Sequence, residues 1–259
     1  MRNSSQHPLL TAPGAIAIAH RGGAEENEEN TLSAFRHALA LGYTHVELDV
    51  HATRDNVVVI HHDPDLMRLC ENPKRIADLD YEELRDIRTK GGNEILTMER
   101  LLQAYPELYV TIEAKSRAVI KPLCDLIARM GVLERVCIGS FDPLCTQAAV
   151  EHLGERLLWS PAHAQVARLW ARGWGLPLRL ACFGVVQIPA HWKGIPVVTP
   201  RLIKAASEVG IAVQVWTVNE AAEMNRLLDM GVSGLMTDRP TLLRKILMNR
   251  GAWPSRGED

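Results

Sequence analysis

HVELDV, residues 45–50, puts two carboxylates on one side of a strand and three aliphatic side chains on the other. Successive strand residues point to opposite faces, so Glu47 and Asp49 share one face while Val46, Leu48 and Val50 share the other. If the aliphatic face lies under helices, the two acids face into an enclosed interior. Two unpaired acids there would be strongly destabilising without a cation.

Seven more apolar runs accompany this one: AIAIAH (15–20), LYVTIEA (108–114), RVCIGS (135–140), RLLWS (156–160), GVVQIPA (184–190), AVQVWTV (212–218) and SGLMTD (233–238). Helix-patterned segments separate most of them. TLSAFRHALALG, for example, opens on a Thr cap and stops at Gly42. Apolar strands alternating with amphipathic helices predict a parallel sheet covered on its outside. Eight such units predict an α/β fold, the (β/α)8 TIM barrel. The 259 residues suit one such domain, with its core over about 15–243.

VVVIHH (57–62) does not fit the alternation. It follows HVELDV too closely for a parallel crossover, which needs a dozen or more residues. It is expected to return antiparallel, as a hairpin arm that turns at Asp55-Asn56 and brings His62 back to the rim. Residues 63–95 read as a charged, lid-like excursion with one short helix. The whole insertion after strand two spans about 51–95. The tail, GAWPSRGED (251–259), is expected to be disordered.

With 29 basic and 31 acidic residues, the chain lacks the basic excess of a nucleic-acid surface and carries no polybasic membrane anchor. No run approaches the ~20 apolar residues of a membrane span, and the N-terminus has no secretory h-region. Five cysteines without a CxxC pair read mostly as small core residues, and reduced thiols suit a cytoplasmic location. The composition leaves the oligomeric state open.

Polar residues that end buried strands are costly to desolvate unless they bind something. His20, Glu47, Asp49 and Glu113 sit at strand ends, and His62 ends the hairpin arm. Three carboxylates without a neighbouring cysteine select one hard divalent cation, Mg²⁺ or Ca²⁺. Two histidines beside such a cation suggest proton transfer. Arg21, in a Gly-Gly turn, matches a phosphate in bidentate fashion or pairs with an acid such as Glu29. Lys115 shares a face with Glu113 and can bridge to the carboxylates or offset phosphate charge. Trp216, at the end of the seventh strand, packs in the core or walls an alcohol group.

HRGG (20–23), ENT (29–31), VELDV (46–50), HHDP (61–64), IEAK (112–115), SFD (140–142), VWTVN (215–219) and GVSGLMTD-P (231–240) together resemble the glycerophosphodiester phosphodiesterase family. The resemblance runs from about residue 15 to 243. It implies a divalent metal at Glu47, Asp49 and Glu113, catalytic histidines at His20 and His62, and phosphate contacts from Arg21 and Lys115. It also implies cleavage of glycerophosphodiesters to sn-glycerol 3-phosphate and an alcohol. The chain departs from the family pattern with Glu28 in place of Pro and Asn56 in place of Gly, and with MRLCENPKR in the insertion. A lysophospholipase D acting on lysolipids is the near alternative. A non-catalytic metabolite-binding barrel and a divalent-metal nuclease are the alternatives from other classes.

Overall fold

A computed structural model describes residues 7–12 and 14–253. Eight parallel strands form the barrel: β1 (Ile16–His20), β2 (His45–Ala52), β3 (Tyr109–Ala114), β4 (Val136–Gly139), β5 (Leu158–Ser160), β6 (Val185–Pro189), β7 (Ala212–Trp216) and β8 (Gly234–Thr237). Hydrogen bonding runs in the order β5-β4-β3-β2-β1-β8-β7-β6, so the first and last strands are neighbours. The remaining seam, between β5 and β6, is bridged by a side chain. The Gln187 backbone N–H donates to Ser160 Oγ at 3.0 Å.

Eight helices follow the strands: α1 (Leu32–Ala40), α2 (Met98–Ala104), α3 (Ile120–Met130), α4 (Pro143–Leu153), α5 (His163–Arg172), α6 (Pro200–Glu208), α7 (Ala221–Asp229) and α8 (Pro240–Asn249). Several start on side-chain caps that satisfy an otherwise orphaned N–H: Thr31 for α1, Thr97 for α2, Asp142 for α4 and Thr199 for α6. Val46, Leu48 and Val50 pack outward among Phe35, Leu101, Leu123 and their neighbours, as the alternation of HVELDV requires.

The interior is layered. Pro8–Leu10 forms a turn that plugs the N-terminal end of the barrel, with Leu9 buried against Cys137, Leu158 and Val185. Above it lies a polar layer in which Gln187 Nε2 donates to Gln214 Oε1 at 2.9 Å and to Thr111 Oγ1 at 3.2 Å. The acids lie above that, at the C-terminal rim.

His45 holds the plug. Its Nε2–H donates to the Leu9 carbonyl at 3.0 Å, Thr44 Oγ1 lies 2.9 Å from Nδ1, and its ring stacks on Tyr109. Burial pushes its pKa down to about 4, although the bond to Leu9 pulls the other way. The folded state therefore keeps this ring neutral while the unfolded chain takes up a proton below its ordinary value of about 6.5. The stability it contributes is complete above that pH and is lost as the pH falls towards 4, by up to ~3 kcal/mol. His45→Gln keeps a donor without a titrating ring. Its Tm deficit relative to the native protein should shrink or reverse between pH 6.5 and 4, measured by thermal melts. A deficit that is constant across that window would rule out this account.

The arm Val58–Ile60 pairs antiparallel with β2, Val50 opposite Ile60, as its short connection demands. Asn56 takes the left-handed conformation at the turn, with φ of 64°, which Asn tolerates. The rest of the insertion is more ordered than one short helix. It contains a two-stranded ribbon (Asp65–Leu66 with Asn72–Arg75), two helical turns (Met67–Cys70 and Tyr81–Leu84) and a 3-10 turn (Ile76–Asp78). Leu66, Ile76, Leu79, Leu84 and Ile95 give it a small core of its own against Val59. These pieces are too short and too charged to show a period. Three of the five cysteines are buried as expected, whereas Cys182 is exposed and Cys70 half-buried. The expected disorder of the tail fails over 251–253. Trp253 packs edge-on against the buried Tyr43, with ring centroids 5.1 Å apart, and 254–259 lie outside the described residues. Among the described residues, no helix is long and apolar enough to cross a membrane.

Candidate active site

Strand register assembles the site. His20 on β1 lies opposite Glu47 on β2, and Asp49 on β2 lies opposite Glu113 on β3. Glu47 and Asp49 are buried and Glu113 half-buried, and one oxygen from each can be chosen so that all lie within 4.8 Å of one another. Burial first, and then the charge of Asp49, push Glu47 up to about 8. Asp49 is also buried, but Lys115 and Arg21 outweigh the burial and hold its carboxyl below the ordinary range. The three carboxylates thus form an all-oxygen set, crowded by like charge, that suits a hard cation.

Arg21 and Lys115 rest on these acids. Arg21 Nε lies 3.0 Å from Asp49 Oδ2, and Lys115 Nζ lies 2.8 Å from both Asp49 Oδ1 and Glu113 Oε1. Burial opposes the Lys115 charge, yet Asp49 and Glu113 win and raise its pKa. Arg21 also reaches Glu29 Oε1 at 3.2 Å, so its two expected roles are compatible.

The HRGG turn explains how Arg21 is aimed. Arg21 has a φ of 51°, and its N–H donates to the Glu47 carbonyl at 2.9 Å. Gly22 has no room for a side chain, since a Cβ there would lie 2.7 Å from Ala34 Cβ. Asn30, also left-handed, donates from Nδ2 to Asp49 Oδ2 at 3.0 Å.

Each histidine is held by a carboxylate. His20 Nδ1 lies 2.6 Å from Asp238 Oδ1 and His62 Nδ1 lies 2.7 Å from Asp63 Oδ1. An ionised carboxylate only accepts, so Nδ1 carries the proton in both rings and Nε2 is left for chemistry. His20 Nε2 lies 3.6 Å from Glu47 Oε2. Burial disfavours a charged His20, but Glu47 and Asp238 outweigh it and raise its pKa. Asp238 is in turn fixed by Asn219 Nδ2 at 2.9 Å. His62 reaches the rim through its neighbour, whose N–H donates to the Asp49 carbonyl at 2.9 Å. His61 itself is buried and turned away, towards the Asp65 carbonyl.

Trp216 is half-buried at the rim, edge-on to the exposed Phe141 with centroids 5.8 Å apart. With Pro189, Ala190, His191, Thr217, Val218 and Glu223 it lines a cavity of about 420 Å³. Trp192 stands exposed on the short hairpin of His191–Trp192 and Ile195–Pro196 beside that cavity.

Asp238, Asn219 and Asn30 join the site without being expected from the strand pattern. The signal for Asp238 is present: it follows β8 by one residue and continues the alternation of Gly234 and Met236, as Asp49 continues that of Glu47 along β2.

The model of the glycerophosphoryl diester phosphodiesterase family matches residues 20–242. The chain belongs to that family. It is an enzyme, a phosphoric diester hydrolase. A protein of Mycobacterium tuberculosis named probable glycerophosphodiester phosphodiesterase 2 is 36% identical, the match covering 95% of each chain. Human lysophospholipase D GDPD1 is 28% identical over 91% of this chain and 87% of its own length. A crystal structure of a glycerophosphodiester phosphodiesterase from Parabacteroides distasonis superposes with a TM-score of 0.76 at 25% identity, covering 93% of this chain and 100% of that one.

Proposed function

We propose that the chain hydrolyses glycerophosphodiesters to sn-glycerol 3-phosphate and an alcohol, with one divalent cation, Mg²⁺ or Ca²⁺, held by Glu47, Asp49 and Glu113. The observation that carries this is the register that sets His20 beside Glu47 and Asp49 beside Glu113 at one rim. When bound, the cation draws charge from a non-bridging phosphate oxygen. Arg21 and Lys115, already resting on the acids, turn the same charges towards the phosphate. Glu29 stands behind Arg21 and keeps its fork aimed. One imidazole takes at Nε2 the proton of the nucleophile, which is either water, giving sn-glycerol 3-phosphate directly, or the substrate's own glycerol hydroxyl, giving a cyclic phosphate that water then opens. The other, starting as the imidazolium with protons on both nitrogens, gives its Nε2 proton to the departing alkoxide and returns to the neutral Nδ1–H form. Trp216 forms an apolar wall for the alcohol. The working unit is the single domain over about 15–243, with the insertion part of it.

A second reading, lysophospholipase D activity, is favoured by the apolar rim at Trp216, Phe141 and Trp192. A panel of glycerophosphodiesters and lysophospholipids, assayed with each cation in turn, tests both. Faster turnover of glycerophosphocholine than of lysophosphatidylcholine supports the first reading, and the reverse order supports the second. Inactivity on the whole panel with every cation would sink both.

A further inference from the structure

Arg68 lies in the insertion, within the MRLCENPKR stretch that departs from the family pattern, and its guanidinium grips two acids. Nε lies 2.6 Å from Asp63 Oδ2, and the two terminal nitrogens lie 3.0 and 2.6 Å from the two oxygens of Glu29. Each acid spends its other contact on a residue of the site. Asp63 Oδ1 holds His62 Nδ1 at 2.7 Å, and Glu29 Oε1 holds Arg21 Nη1 at 3.2 Å. The chain of contacts His62–Asp63–Arg68–Glu29–Arg21 therefore joins the hairpin arm to the β1–α1 loop.

We infer that Arg68 is a positioning residue that fixes the His62 ring and the Arg21 guanidinium relative to one another through Asp63 and Glu29. The inference rests on the roles proposed above for His62 and Arg21. An isolated surface ion pair contributes little. Here a planar fork binds one carboxylate through two nitrogens and another through a third, a geometry that an ammonium cannot reproduce. The frame around Arg68 is fixed as well. Glu28, adjacent to Glu29, binds Thr89, the Gly91 N–H at 3.0 Å and Asn93 Nδ2 at 2.6 Å at the far end of the insertion. The Lys90 N–H donates to the Leu69 carbonyl at 2.7 Å, closing the frame beside Arg68. His62 and Arg21 come from segments with different backbones. Arg68 ties them together before substrate arrives, which is the pre-organisation that near-attack geometry requires.

The test uses the full chain and two readouts. The first is the tautomer of the neutral His62 ring, read from imidazole ¹⁵N shifts and assigned by its loss in His62→Gln. In the native protein the proton sits on Nδ1. In Arg68→Ala, and in Arg68→Lys, the Nδ1–H population should fall towards that of a free imidazole. The second is steady-state kinetics on glycerophosphocholine. Arg68→Ala should lower kcat and raise KM, each by about tenfold. Asp63→Asn should lower mainly kcat and Glu29→Gln should raise mainly KM. The Arg68→Ala/Asp63→Asn pair should have a kcat no lower than Arg68→Ala alone. An unchanged His62 tautomer in Arg68→Ala overturns the inference, as does a double variant whose kcat losses multiply. If the native protein does not turn over the substrate, the proposed function fails and the ring measurement alone decides the role of Arg68.

Discussion

His62→Ala should remain folded and turn over glycerophosphocholine ~10²–10⁴-fold more slowly, and His20→Ala should do the same. The expectation rests on how the rings are held. Each gives its Nδ1–H to a carboxylate, Asp238 for His20 and Asp63 for His62, and each is left with one nitrogen to exchange a proton. Phosphodiester cleavage needs a proton removed from the nucleophile and one delivered to the leaving oxygen. Two separately oriented imidazoles supply both. Because the two act in one step, the double variant should be little worse than the poorer single one. The folding risk differs between them. The His62 side chain is a third exposed, so its removal leaves no sizeable void. His20 is more enclosed, and its loss leaves Asp238 with Asn219 alone, so His20→Gln serves as the companion variant. Melting curves establish that each protein is folded, and initial rates then decide. Near-native turnover by a folded His62→Ala or His20→Gln would remove that residue from the mechanism.

Much of this site could be read from the chain because strands obey a period of two. Glu47 and Asp49 had to share a face, and Val46, Leu48 and Val50 had to take the other, so the acids were inward wherever the barrel closed. The eight apolar runs were equally legible, since strands buried on both faces leave continuous aliphatic stretches. The hairpin arm follows from the short stretch, residues 51–56, between HVELDV and VVVIHH. What stayed hidden depends on neighbours distant in sequence. Asp238 gains its role only because β8 closes on β1 and meets His20, a pairing 218 positions apart. Arg68 looked like one charge among many in a charged insertion, and only the fold brings Glu29 and Asp63 to its two sides. The order in residues 63–95 is hidden for a related reason. Its core of Leu66, Ile76, Leu79 and Leu84 is scattered among turns, with no periodic face to betray it.

Removing divalent metal with a chelator should abolish turnover, and adding Mg²⁺ or Ca²⁺ should restore it. Polarising a phosphoryl oxygen is worth several kcal/mol, so the loss should reach roughly 10²–10³-fold. The acids themselves give the reason. Glu47, Asp49 and Glu113 converge without enough positive charge from the protein to balance them. Lys115 and Arg21 reach Asp49 and Glu113, while Glu47 meets, among the described residues, the edge of His20 at 3.6 Å and the Arg21 N–H at 3.4 Å. The observed charge balance therefore leaves Glu47 as the carboxylate with most to gain from a cation. Glu47→Gln keeps the shape but cannot ionise when a cation arrives, so this variant should need a higher metal concentration for half-maximal activity. It should also lose the rise in Tm that metal gives the native protein, an effect worth about 2.7 kcal/mol at a hundredfold excess over Kd. The melting experiment needs no substrate, so it separates a failure to bind metal from a failure of catalysis. A native protein whose activity survives exhaustive chelation, or a Glu47→Gln variant with an unchanged metal requirement and an unchanged metal-induced Tm rise, would show that the trio has a purely structural role.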